Sequence, residues 1–386
     1  MVKFAHIADV HLGGWKHEQM QNLNFESFKK AIDICLASKV EFMLFAGDLF
    51  DSAYPPIETL KETFAQFKRL KDAKIPCFII AGSHDYSVSG KTFLDVLEKA
   101  GFCKNVFNAE ERGDKIFLNP HVHKNLAIYG YPGKKSGLEI PELRRVKLND
   151  APGMFKIFML HTTLNCVVGN LPIESLESEK LPQADYYALG HIHVLFNKNK
   201  IVYPGPLFPN NFKELEDLKH GSFALVDTES AEQVKFIKLP LKETECLELE
   251  FDDGLAATDK ILGELSKRDL KDKIILLRIS GELKRGKPSD IKFFQIEEFA
   301  KEHGAYFLLK NIHDLKIKEV DINLEIKEEG DIEHETIKIY SDKNKSDFNS
   351  FVPELMDILS IEKQEDEKVE TFQSRLLSES KRILKF

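Results

Sequence analysis

No stretch of this 386-residue chain approaches the ~20 consecutive apolar residues that cross a bilayer, so a membrane-spanning helix is not expected. Met1-Val2-Lys3-Phe4 runs straight into an apolar pattern without a signal-peptide layout, which points to the cytoplasm. Cysteine is scarce as well. The five, Cys35, Cys77, Cys103, Cys166 and Cys246, are odd in number, scattered and never spaced C-x-x-C, which excludes a disulfide framework and a zinc knuckle. Positive charge is short too: the formal net charge is −9, against the overall positive potential of a protein that coats nucleic acid. A local basic face remains open at Lys134-Lys135 and Arg144-Arg145, as does the plainer reading of a solvated loop.

What is present is a repeated grammar. Phe42-Met43-Leu44-Phe45-Ala46 is an apolar run without alternation, as in a strand covered on both faces, and it stops on Gly47-Asp48. Lys3 to Ala8 runs likewise into Asp9-Val10-His11, and Cys77 to Ala81 into Gly82-Ser83-His84-Asp85. Further on, Lys156 to Leu160 ends on His161, and Tyr186 to Leu189 ends on Gly190-His191-Ile192-His193. Packing alone gives no reason for five strands to stop on ligand-type side chains. In open α/β sheets, sites assemble at the carboxyl ends of strands, so these residues can converge in space.

Between the strands, helical spacing appears over residues 24–38 and again after Pro55-Pro56, where Leu60, Phe64, Phe67 and Leu70 share a face. The βαβαβα order followed by further strands predicts an α/β fold of layered-sandwich type over residues 1–242. Residues 243–320 then show a strand–helix–strand–helix–strand pattern with its own apolar positions and no ligand cluster, a small α+β domain suited to substrate or partner contact. Residues 321–347 are dense in charge and read as a linker or an exposed hairpin. Residues 348–386 hold two amphipathic helices. Phe348, Phe351, Leu355 and Leu359 stripe the first, Phe372 and Leu376 the second, and these stripes must be buried against the same chain or a partner.

Asp9, His11, Asp48, His161, His191 and His193 are the ligand set of a two-metal site, with one carboxylate placed to bridge. In Asp9-x-His11 and His191-x-His193 the spacing of two puts both side chains on one side of an extended segment. Mixed imidazole and carboxylate ligation suits manganese, iron or zinc better than calcium or magnesium. Two such ions activate a water and stabilise in-line displacement at phosphorus. His84 is then free to touch the scissile phosphate and help the leaving oxygen depart, and His84 and Asp85 are the candidate catalytic residues. His121-Val122-His123 precedes a strand instead of ending one and is not counted as a ligand pair.

The order D-x-H, G-D, G-x-H-D, H, G-H-x-H resembles the calcineurin-like metallophosphoesterases, whose fold is a two-sheet sandwich flanked by helices. Ile7 to Gly13, Gly47-Asp48-Leu49-Phe50-Asp51 with Pro55-Pro56, and Tyr187 to His193 resemble more closely the family of the DNA double-strand-break repair nuclease, meiotic recombination protein eleven, and its SbcD-like relatives. That resemblance implies a manganese-dependent 3′ to 5′ exonuclease and single-strand endonuclease with two Mn2+ per subunit, a homodimer gripping DNA ends. It also implies that the small domain caps DNA and that the terminal helices dock an SMC-like ABC ATPase of the Rad-fifty type; Leu60, Phe64 and Phe67 are candidates for the dimer contact and equally explicable as core. Two departures stand out. Ser83 occupies the place of an asparagine whose carbonyl is a metal ligand in the family, and a hydroxyl is a shorter, poorer donor. Asp51 stands where many members have a histidine, so a role tied to that imidazole does not carry over. Two other readings remain: a phosphodiesterase of small phosphoesters, and a DNA-end-binding scaffold weakened by Ser83.

Overall fold

The computed structural model describes residues 2–87, 92–169, 171–230, 232–317, 337–338, 340–342, 346–364, 367 and 369–384. Two compact units result, residues 1–316 and 317–386.

In the first unit, among the described residues, one sheet runs in spatial order Val234–Leu239, Gly221–Asp227, Lys3–Ile7, Phe42–Ala46, Cys77–Ile80, Lys104–Asn105. The four last strands are parallel; Gly221–Asp227 runs antiparallel to its neighbours on both sides, so the edge strand Val234–Leu239 points the same way as the four. A second sheet runs Leu195–Lys198, Ile201–Pro204, Tyr186–Gly190, Phe155–His161, Leu126–Tyr131, His121–His123. Alternation explains how the layers stack. Phe4, Phe42, Leu44, Ala46, Phe78 and Ile80 meet Ile128, Ile157, Met159 and Ala188 of the other sheet. The residues between them, Ala5, Ile7, Met43, Phe45 and Ile79, face the opposite way and pack on Phe28, Ile32 and Phe67 of the helices Glu18–Ala37 and Ile57–Asp72. With both faces covered, the strands read as unbroken apolar runs.

The first helix starts at Glu18, six residues before the periodic stretch at 24–38, because Met20 and Leu23 bury in a different cluster from the rest of its face. Phe67 is fully buried in the helix-covered core, which decides for the core reading of its two alternatives. His121 and His123 pack their rings on Phe78 at an edge strand, apart from the ligand groups.

Residues 243–316 add a three-stranded sheet, Thr244–Glu250, Ile274–Leu283, Phe307–Ile317, with the helices Ala257–Leu265 and Phe293–Glu302 over a separate core. The sheet's other face joins the first domain. Ile274 and Leu276 share a buried cluster with Trp15, Met20, Leu23, Phe208 and Leu215, which is why the two parts form one compact unit.

In the second unit a turn at Asp347–Phe351 leads into the helices Val352–Leu359 and Val369–Leu384. Among the described residues of this unit neither helix holds a buried one: Phe348 and Leu359 are exposed, and Phe351, Leu355, Phe372 and Leu376 are half-buried. Of the linker expected at 321–347, residues 321–336, 339 and 343–345 lie outside the described residues.

Candidate metal centre

The carboxyl ends of Lys3–Ile7 and Phe42–Ala46 do not simply fray into loops. Asp9 N–H donates to Gly47 O at 3.2 Å, Val10 and His11 N–H to Asp48 O at 2.9 Å, and Leu12 N–H to Leu49 O at 3.1 Å. This zipped pair of loops forces Asp9 (φ 51°), His11 (φ 48°) and Asp48 (φ 50°) into the left-handed region, and His191 (φ 93°) joins them from the other sheet. Each such residue without a glycine's freedom costs of order 1 kcal/mol, and such strain gathers at functional sites. Gly47 (φ 88°) is required here twice over: its backbone is left-handed, and a Cβ would stand 2.2 Å from His161 Nδ1.

The side chains meet between the two sheets' ends. Asp48 Oδ2 lies 3.0 Å from His161 Nε2 and 3.6 Å from His11 Nε2. His11 Nε2 faces His193 Nε2 at 3.3 Å, and Asp9 Oδ1 lies 3.9 Å from both His193 Nε2 and His161 Nδ1. Three groups result, each with ligand atoms within 4.8 Å of one another: Asp9, His11 and His193; Asp48, His161 and His191; and His11, Asp48 and His84. His161 Nδ1 bonds Ala46 O at 2.9 Å, which leaves Nε2 to face Asp48. His191 N–H donates to Asp9 Oδ1 at 2.8 Å, whereas Asp9 Oδ2, fully buried, has no hydrogen-bond partner among the described residues. Buried carboxylate oxygens are normally satisfied. An orphaned one among imidazole nitrogens fits a divalent cation, and the donor set of nitrogen and carboxylate oxygen suits manganese, iron or zinc.

Electrostatics follow from this crowding. Burial opposes charge on both Asp48 and His161, yet each stabilises the other: the Asp48 carboxyl falls well below the usual range, and the His161 imidazole rises to about 10. Burial and the neighbouring His161 charge push His191 down to about 3.

Ser83 and His84 stand at the rim. Ser83 Oγ lies 3.4 Å from Asp48 Oδ2, and His84 N–H donates to Asp48 Oδ1 at 2.7 Å. The His84 ring bonds Asp51 O at 2.9 Å and lies 3.4 Å from the Asp51 carboxylate, whose hydrogen bond raises the imidazole to about 9. Asp85, the other catalytic candidate, is buried and accepts from Gly82, Leu49 and Phe50 N–H at 3.0, 3.1 and 3.0 Å, so its carboxylate ties two loops together.

Two residues were not found from the sequence. The Asp51 carboxylate sits 3.1 Å from His11 Nδ1 and orients that ring as well as His84; its signal, three residues past Asp48, read only as a departure from a motif. Glu214 Oε1 accepts from His193 Nδ1 at 2.9 Å, and only the Asn211-x-x-Glu214 spacing of a helix start hinted at it.

A cleft of about 1140 Å³ opens beside this centre, lined among others by Ser83, His84, His191, Tyr54, Tyr86 and Lys135. The other candidate cations are neutralised or turned aside. Lys134 pairs with Glu142 at 2.6 Å, Arg144 with Glu177 at 3.4 Å, and Arg145 donates to Asp114 O at 2.6 Å.

A family model described as calcineurin-like phosphoesterase matches residues 2–195, the stretch that carries all these ligand-type residues. The chain belongs to that family. Its fold implies divalent-cation binding and a hydrolase, in keeping with the clusters described above. The phosphoesterase is similar to a protein named DNA double-strand break repair protein Mre11 from Methanocaldococcus jannaschii, 30% identical over 239 residues that cover 58% of this chain and 62% of that one. An uncharacterized metallophosphoesterase of Bacillus subtilis, YhaO, is 31% identical over 231 residues, 55% of each chain. The Mre11 of Archaeoglobus fulgidus is 26% identical over 400 residues, 95% of this chain and 82% of that one. The phosphoesterase thus spans about three fifths or less of the first and second of these relatives. No helix among the described residues is long and apolar enough to cross a membrane.

Proposed function

We propose that this chain is a dinuclear-metal nuclease that processes DNA ends in double-strand-break repair, as a 3′ to 5′ exonuclease and single-strand endonuclease using Mn2+. The observation that carries the reading is the meeting of Asp9, His11, His193, Asp48, His161 and His191 around an orphaned carboxylate oxygen. Asp9, His11 and His193 would hold one cation; Asp48, His161 and His191, with Ser83 beside them, would hold the other. Bound there, the cations would supply an activated water and neutralise charge at phosphorus. Asp48 faces both groups and fixes their spacing. His84, kept protonated beside Asp51, donates a hydrogen bond to a phosphate oxygen and a proton to the departing oxygen. The cleft lined by Tyr54 and Tyr86 takes an unpaired strand end, with Lys135 at its rim.

In this reading the protein works as a homodimer in the cytoplasm, on the nucleoid, and the exposed stripes of the terminal helices dock an SMC-like ABC ATPase of the Rad-fifty type. Support comes from the named archaeal relatives and from apolar residues such as Phe348 and Leu359 left uncovered in their own unit. Deleting residues 348–386 removes ATPase binding and leaves Mn2+ nuclease activity intact. A second reading, a DNA-end-binding scaffold, rests on Ser83, whose hydroxyl is the poorest donor of the set. The test is cleavage of duplex ends and single strands with Mn2+, comparing the parent chain with Ser83→Asn and Asp48→Ala. Cleavage by the parent, abolished in Asp48→Ala, supports the nuclease. Cleavage only after Ser83→Asn favours the scaffold, and hydrolysis of nitrophenyl esters with none of DNA favours a small-molecule phosphodiesterase.

A further inference from the structure

The short helix Phe212–Leu218 touches the candidate metal centre on one side and the small three-stranded sheet on the other. Residues two apart on a helix point roughly 200° away from each other, so Glu214 and Glu216 reach in opposite directions. Glu214 Oε1 accepts from His193 Nδ1 at 2.9 Å, and its carboxylate is fixed in turn by Asn211 Nδ2 at 2.6 Å and Asn210 N–H at 2.8 Å. Glu216 receives a two-pronged pair from Arg278, Nε to Oε1 at 3.1 Å and Nη2 to Oε2 at 2.8 Å. Arg278 lies on the central strand of the small sheet, and its guanidinium also covers the Phe212 ring at 5.1 Å. Between the two glutamates, Leu215 is fully buried in the cluster it shares with Ile274 and Leu276 of that same strand.

The helix is therefore held to the small sheet by a bidentate ion pair, a ring contact and an apolar anchor, while its other face sets one imidazole. An Arg–carboxylate fork fixes direction as well as distance. We propose that Arg278 is a positioning residue for His193, acting through Glu216, the helix and Glu214, so that the small domain sets the cation affinity of the Asp9, His11 and His193 group. This rests on the reading of that group as a cation site. It goes further by giving the small domain a hold on one of the two sites, since the His161 ring is set instead by Ala46 O and Asp48, and the His191 amide by Asp9 Oδ1.

The experiment titrates Mn2+ alone into the intact chain and reads free ion by electron paramagnetic resonance. The parent binds two ions. Glu214→Gln weakens one of them by about tenfold or more, the usual effect of losing a partner behind a metal ligand. Arg278→Ala weakens that same ion by about threefold or more and leaves the other unchanged. Arg278→Lys, which keeps the charge without the fork, falls between, and the reversed pair Arg278→Glu with Glu216→Arg restores the parent's affinity. If Arg278→Ala fails to fold, the lysine variant and the reversed pair carry the comparison. The proposal is overturned if Glu214→Gln weakens one ion while the Arg278 variants leave both untouched, or if they weaken both equally, as general loosening would. A parent chain that binds no Mn2+ overturns the underlying metal reading itself.

Discussion

Asp48 and His161 come from different sheets and meet with Oδ2 3.0 Å from Nε2, and the same carboxylate oxygen lies 3.6 Å from His11 Nε2. One oxygen therefore faces imidazoles from both candidate cation groups, and the account makes Asp48 the residue they share.

Asp48→Asn keeps the shape and removes the charge. Mn2+ binding should weaken at both sites, and phosphodiester hydrolysis should fall by more than the 10–100-fold typical of losing an outer-shell partner, to about 10³-fold or below detection. Titration of Mn2+ with a parallel nuclease assay checks this; unchanged binding at either site removes Asp48 from the shared position.

Proton competition gives a second prediction. Burial works against charge on His161, but Asp48, then Asp9, hold the cation-free imidazole protonated up to about 10. Below that pH a metal must displace a proton, so affinity grows as pH rises. The logarithm of the apparent Mn2+ association constant should climb by at least about one unit per pH unit between pH 6 and 8. A flat profile would mean that no ligand loses a proton on binding.

Gly47→Ala brings a Cβ within 2.2 Å of His161 Nδ1 at a backbone φ of 88°, so overpacking and backbone strain add. A loss of about 2–4 kcal/mol in denaturant unfolding is expected. Gly153 (φ 73°) is the control, because nothing lies within 4 Å of its Cβ position. There the alanine should cost only about 1 kcal/mol, the backbone part alone.

The contrast between these glycines shows what was legible in the sequence. The strand ends announced themselves, because residues such as Phe45-Ala46 and Leu189-Gly190 are apolar by burial and the polar residue that follows has no packing reason to be there. Asp9, His11, Asp48, His161, His191 and His193 were all readable in that way. Burial alone could not separate Asp85 from His84: both follow the same strand, and only the structure shows the carboxylate turned onto the amides of Leu49, Phe50 and Gly82. Glu214 was hidden for the opposite reason. It reaches His193 from a helix beyond a turn-rich return, and no periodicity links the two. The joining of the small sheet to the first domain was equally silent, since the apolar residues of Ile274–Leu283 do not say which of two cores each will enter.

The loop-tying contacts of Asp85 make its role testable. Asp85→Ala leaves three buried N–H groups without an acceptor and should cost about 3 kcal/mol or more of stability. If tying the loops is its role, phosphoesterase activity should be recovered in part by lowering the temperature. Activity abolished with stability unchanged would return Asp85 to the catalytic set.

The most direct measurement is anomalous scattering at the manganese edge from crystals soaked in Mn2+. The account predicts two peaks flanking the Asp48 carboxylate, about 3.5–4 Å apart, one beside Asp9, His11 and His193 and the other beside His161 and His191. A single peak distant from Asp48, or none, would contradict it.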